Sequence, residues 1–214
     1  MKFKLILVTV LAFGSMAHAQ GFLSNVSIGV GLEGIFPAAT TTKGTSNITG
    51  FPTTQNTTNS VGVVGDARYD FGRHSALEAS VTFNRNSEIF NNTSQLVTRA
   101  QTNNLEIIGN YIFRLPSNER VKPYALFGGG VVHFGPNNDF NTIGSPASET
   151  KVAFDYGFGS DFKINDHWAV RLQYRGLVRT SPDFKLASTN VDSNFGTSLK
   201  THVPEPSLQL VYHF

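Results

Sequence analysis

The sequence predicts an all-β fold, an eight-stranded antiparallel up-and-down transmembrane β-barrel, on three observations. Apolar and polar residues alternate in eight separate segments, the period-two signature of strands whose two faces meet different surroundings. Every Asp, Glu, Lys and Arg inside those segments falls on one of the two faces. Long and short connections follow one another in turn, as in a meander with one trimmed and one decorated end. No helical period of useful length appears.

Segment 26–36 (VSIGVGLEGIF) sets Val26, Ile28, Val30, Leu32 and Phe36 against Ser27, Gly29, Gly31 and Glu33. A long connection, 37–60, leads to segment 61–71, where Val61, Val63, Ala67, Tyr69 and Phe71 oppose Asp66, Arg68 and Asp70. The short link GRHSA (72–76) leads to 77–83, with Leu77, Ala79, Val81 and Phe83 against Glu78, Ser80 and Thr82. After the long connection 86–104, segment 105–113 opposes Leu105, Ile107, Tyr111 and Phe113 to Glu106 and Asn110. Segment 124–134 is glycine-rich and alternates weakly; the expected register puts Tyr124 and Phe134 on the apolar face. Segment 152–164 opposes Val152, Phe154, Tyr156, Phe158, Phe162 and Ile164 to Asp155, Asp161 and Lys163. The link NDH (165–167) leads to 168–178, with Trp168, Val170, Leu172, Tyr174 and Val178 against Arg171, Gln173 and Arg175. The eighth segment, 208–214, steps through Leu208, Leu210, Tyr212 and Phe214.

Residues 1–19 read as a cleaved signal peptide: Lys2 and Lys4, an apolar run at 5–13, and AHA at 17–19 as a small-x-small cleavage site. Residues 20–214 then form one barrel domain. The chain has no cysteine, which removes disulfides and thiolate metal sites. No later stretch reaches the roughly 18 apolar residues of a transmembrane helix. The net charge of +2 is spread over scattered single residues, so no nucleic-acid partner is expected.

The eleven segment charges are Glu33, Asp66, Arg68, Asp70, Glu78, Glu106, Asp155, Asp161, Lys163, Arg171 and Arg175. Their face also holds many small residues, among them Gly29, Gly31, Ser80, Gly157 and Gly159, which suit a crowded interior. The aromatic residues of the apolar face gather at both strand ends. That is the pattern two membrane–water interfaces select. The apolar face is therefore expected to meet lipid and the charged face to line the lumen. Closure leaves no unpaired strand edge in hydrocarbon.

In this layout the chain resembles the small OmpA/OmpX-type eight-stranded outer-membrane β-barrels. The resemblance covers the mature chain and implies a bacterial outer-membrane location, periplasmic turns and termini, and long outer loops. It also implies that the last strand, through Leu208, Leu210, Tyr212 and Phe214, is read by the barrel-assembly machinery. Partners are then outer-membrane lipids and an extracellular ligand at the long loops, with the protein a monomer.

The interior charges read first as a salt-bridged plug, since eight strands leave a lumen that side chains fill. The leading functional reading is a non-enzymatic protein of membrane integrity or loop-mediated adhesion. The alternative is a small ion channel in which Arg171 or Arg175 exchanges partners among Glu33, Asp66 and Glu106. A third class is a lipid A-modifying enzyme, which the resemblance admits. The His-x-Ser pair of lipid A deacylases does not occur, however, and His74, His133, His167, His202 and His213 are scattered without ligand spacing. No catalytic residue, metal site or cofactor is assigned. GGG at 128–130 lacks the Lys-Ser/Thr and helix of a phosphate loop and fits close strand packing.

Overall fold

The computed structural model describes residues 23–41, 53–92, 96–116, 120–137, 147–182, 184 and 200–214. The expected signal peptide, and Phe51, Phe140 and Phe195 of the long connections, lie outside them. Among the described residues there are ten strands: β1 (Val26–Ile35), β2 (Thr40–Thr41), β3 (Thr53–Thr57), β4 (Ser60–Asp70), β5 (Ser75–Asn92), β6 (Leu96–Arg114), β7 (Val121–Pro136), β8 (Glu149–Lys163), β9 (Trp168–Thr180) and β10 (Lys200–His213).

Eight of them close an antiparallel barrel in the order β1-β4-β5-β6-β7-β8-β9-β10, with β10 back on β1. The seam pairs Ser27 with His213 and continues to Glu33 opposite Ser207. The two short strands are an excursion at the long-loop end, where β3 pairs with the outer part of β5 from Thr57↔Glu88 to Thr53↔Asn92.

The barrel is inside-out relative to a water-soluble protein. Val30, Leu32, Val61, Val63, Phe83, Val152, Phe154, Phe158, Leu208 and Leu210 are exposed on its outer wall. Three fully buried arginines, Arg68, Arg171 and Arg175, are among the largest enclosed side chains. Alternation dictates this, because a one-residue slip would turn every charge of a strand toward lipid.

Three features depart from the expected layout, one being that the last strand begins at Lys200 instead of 208. The connection expected at 86–104 is mostly strand: β5 and β6 pair continuously from Ser75↔Phe113 to Asn92↔Leu96, a hairpin that runs well past the other strands. Its outer half is polar and alternates little, so sequence alone reads it as loop. The register of β7 is also opposite to the expected one. Tyr124 and Phe134 point inward and are buried, while Ala125, Phe127, Val131 and His133 face out. The reason is local: Tyr124 hydroxyl donates to Gln173 Oε1 at 2.6 Å and its ring lies 4.3 Å beneath the Arg68 guanidinium. Phe134 in turn carries the Arg179 guanidinium 4.5 Å from its ring centre.

Candidate functional site

The lumen is filled in layers. At the short-turn end Ala76, Ile112, Tyr124 and Leu126 form a small apolar cluster. Next comes a charge layer built on two guanidinium groups. Arg68 binds Glu78 at 2.6 Å and Asp161 at 3.0 Å. Arg171 binds Asp66 and Asp161, both at 2.7 Å, and reaches Glu78 at 3.4 Å. These five side chains come from β4, β5, β8 and β9, so the layer cross-ties opposite walls.

A second layer centres on Arg175. Its Nη2 donates to both oxygens of Glu33 at 2.8 and 2.9 Å and to Glu205 at 3.0 Å, and its Nη1 donates to Ser80 at 3.0 Å. Asp155 stands 3.9 Å from Nη1 and accepts a hydrogen bond from Asn110 at 2.8 Å. Glycine makes that bridge feasible: Gly128 lies between Asn110 and Asp155 in the sheet, and a Cβ there would sit 2.2 Å from Asn110 Oδ1. Above follow Asn84, Asn86, Thr102 and Asn104, joined side chain to side chain, with Asn84 donating to Glu106 Oε1 at 2.9 Å.

An apolar cluster closes the loop side: Ile35, Ala100, Ile108, Val132, Phe134, Ala153, Leu177, Phe184 and Val203. Phe184 is inserted from the connection between β9 and β10. It is buried at φ 53°, a left-handed backbone that a bulky residue adopts only when its surroundings impose it. Its amide donates to Glu149 Oε2 at 3.2 Å and its carbonyl accepts from the Ala147 amide. Nearby, the buried Glu88 accepts from Gln55 and Thr57, tying β3 onto β5, and Gln55 also donates to the Pro182 carbonyl.

Of the eleven charges assigned to the lumen, nine lie in these layers: Glu33, Asp66, Arg68, Glu78, Glu106, Asp155, Asp161, Arg171 and Arg175. Asp70 sits half-buried at the turn end in a pair with Arg114. Lys163 departs from the expectation. Its side chain leaves the lumen for solvent and binds Asp166 at 2.7 Å, because it is the last residue of β8 and the turn carboxylate is within reach. The hydrogen bond from Lys163, with the ammonium charge behind it, holds the Asp166 carboxyl below its ordinary range. Glu106 accepts from the Asn84 amide rather than from Arg171 or Arg175, although the channel reading placed it among their exchange partners.

Sequence reasoning missed Glu205, which is fully buried on Arg175. The signal was present: Thr201, Val203, Glu205, Ser207, Gln209 and Val211 continue the inward step of the last strand. Pro204 and Pro206 hid it, since proline reads against a strand interior. The histidines form no cluster among the described residues. His133 pairs with Thr150 and His202 with Tyr156, both on the outer wall, while His167 stacks on Tyr212 at the turn end.

The outer membrane protein beta-barrel domain family matches this sequence over residues 5–202. The outer membrane protein OprG of Pseudomonas aeruginosa is similar in structure, with a TM-score of 0.55 at 13% identity over 88% of this chain and 95% of that one. So is the attachment invasion locus protein Ail of Yersinia pestis, solved with the heparin analogue sucrose octasulfate, with a TM-score of 0.51 at 19% identity over 88% and 97%. No curated protein matches the sequence. The match of the family over most of the chain, on a closed eight-stranded barrel with a lipid-facing wall, makes this chain a member of the bacterial outer membrane protein beta-barrel domain family.

Proposed function

We propose that the protein is a non-enzymatic surface protein: a sealed barrel that anchors an outer β-platform for contact with other surfaces and adds to membrane integrity. One observation carries this reading. Arg68, Arg171 and Arg175 are enclosed and bonded to carboxylates on facing walls, so the lumen is built as a core rather than a path. An ion crossing it would have to part buried pairs, leaving enclosed charges without their partners, which is strongly unfavourable. The β5–β6 hairpin, with β3 beside it, gives the barrel something to present on the outer side.

On this reading residues 1–19 are a cleaved export signal, the termini lie in the periplasm and the barrel acts as a monomer. The last strand, with Leu208, Leu210 and Phe214 exposed on the outer wall, is read by the assembly machinery.

The test uses the barrel in planar bilayers and on cells. Bilayers should stay silent across voltage; stepwise conductance would favour the channel. Cells expressing the protein should adhere to heparin-coated and matrix-coated surfaces. The heparin analogue bound to Ail suggests the first probe. A variant with residues 86–102 replaced by a tight turn should lose that adhesion, and undiminished adhesion would refute a role for the platform. Mass spectrometry of lipid A should show no change on expression.

A further inference from the structure

The lumen around Arg175 holds more carboxylates than its cation can serve. Glu33, Glu106 and Glu205, from β1, β6 and β10, are all buried, and one oxygen of each lies within 4.8 Å of the others. Arg175 serves Glu33 and Glu205, while Glu106 receives a neutral amide from Asn84. Asp155, outside this trio and also buried, turns onto the same guanidinium from β8. A second observation is independent of their proximity. Glu106 Oε2, Glu205 Oε1 and Asp155 Oδ1 are each buried without a hydrogen-bond donor. A buried anionic oxygen is costly unless it is paired, coordinated or neutralised by a proton.

We propose that Glu33, Glu106 and Glu205 hold a hard divalent cation of calcium's size in the lumen, with Asp155 contributing charge beside them. The class follows from the ligands, which are all carboxylate oxygens. The preference for calcium follows from its coordination habits. Calcium accepts several protein oxygens at about 2.3–2.6 Å in flexible geometry, whereas magnesium demands near-ideal octahedral geometry and keeps several waters, which three enclosed carboxylates do not supply. The cation offsets repulsion among four acids that face one guanidinium, and it bonds β1, β6 and β10 together across the lumen. The inference is independent of what the outer platform contacts.

The test is calcium retention. The full mature chain is refolded into detergent with millimolar calcium, passed into chelator-treated buffer and assayed for bound metal by mass spectrometry. Wild type should retain close to one calcium per barrel, and magnesium should not replace it. Glu106→Gln and Glu205→Gln, checked for heat-shifted gel mobility, should lose about tenfold or more of the retained calcium. Asp166→Asn, at an exposed turn acid, should retain it in full. Wild-type barrel holding no calcium, or equal calcium in Glu106→Gln and Glu205→Gln, would overturn the site. Wild type also gives a readout without variants: its urea midpoint should rise on refolding with calcium relative to chelator, and equal midpoints would likewise overturn it.

Discussion

Replacing Arg175 with methionine tests whether the inner charge layers hold the barrel together. Methionine keeps the length and apolar stem but removes the guanidinium. In the structure this deletes ion pairs to Glu33 at 2.8 Å and Glu205 at 3.0 Å, together with the hydrogen bond to Ser80. Removing one partner of a buried pair costs about 3–5 kcal/mol, because the remaining charge stays enclosed without compensation. The hydrogen bond to Thr82 at 3.3 Å is weaker and adds little. The assay is equilibrium urea unfolding in lipid vesicles, followed by the fluorescence of Trp168, the only tryptophan in the sequence. That ring is partly exposed at the turn end and changes surroundings when the barrel opens. Arg175→Met should lower stability by about 3–5 kcal/mol. The double variant Arg175→Met with Glu33→Gln should recover part of the loss, since it removes one stranded charge. A loss below about 1 kcal/mol, the range of exposed pairs, would refute the plug argument.

Other outcomes follow from the same geometry. Val30→Arg places a charge on the lipid-facing wall and should cost about 2–4 kcal/mol in vesicles, falling if the position lies near an interface. Gly31→Ala puts a Cβ 2.0 Å from the Leu208 carbonyl oxygen, so urea stability should fall by about 1–3 kcal/mol or folding should fail. Gly65→Ala, whose nearest atom would be 3.8 Å away, should be close to neutral in the same assay. Tyr124→Phe leaves Gln173 without its hydroxyl donor and should cost about 1–3 kcal/mol. Deleting Phe214, or Phe214→Ser, should lower the heat-shifted fraction recovered in outer membranes without altering the behaviour of the barrels that do assemble.

Much of the barrel was legible because lipid outside and charge inside impose one unbroken rule on each strand. Asp66, Arg68 and Glu78 sit where alternation puts them, and no tertiary information was needed. Legibility failed where the rule lost its contrast. In β7 both faces are apolar or glycine, so Tyr124 and Phe134 gave no sign of direction, and it was Arg68, Gln173 and Arg179 on other strands that drew them inward. In β10 the prolines at 204 and 206 suggested a loop. The strand survives them because its pairing to β9 runs unbroken from Lys200 to Tyr212, while on the β1 side the regular register stops at Ser207 and contact resumes at Pro204. The outer half of the β5–β6 hairpin stands beyond the lipid belt, where neither face has a reason to be greasy. Pairing partners within the lumen were out of reach of sequence, since Arg171 to Asp66 joins positions over a hundred residues apart.

The seam between β1 and β10 has a kinetic meaning. Most barrel neighbours can zip from a nearby bend, so each adds its ladder at small entropic cost. Ser27 finds His213 only after almost the entire polypeptide has been ordered between them. Until then two strand rims stand open, and the half-built sheet is a sticky intermediate. The barrel should therefore fold slowly and snap shut in a single late event, and the rate of that event should respond to changes at Gly31 or Leu208 far more than to equal changes in the β5–β6 hairpin.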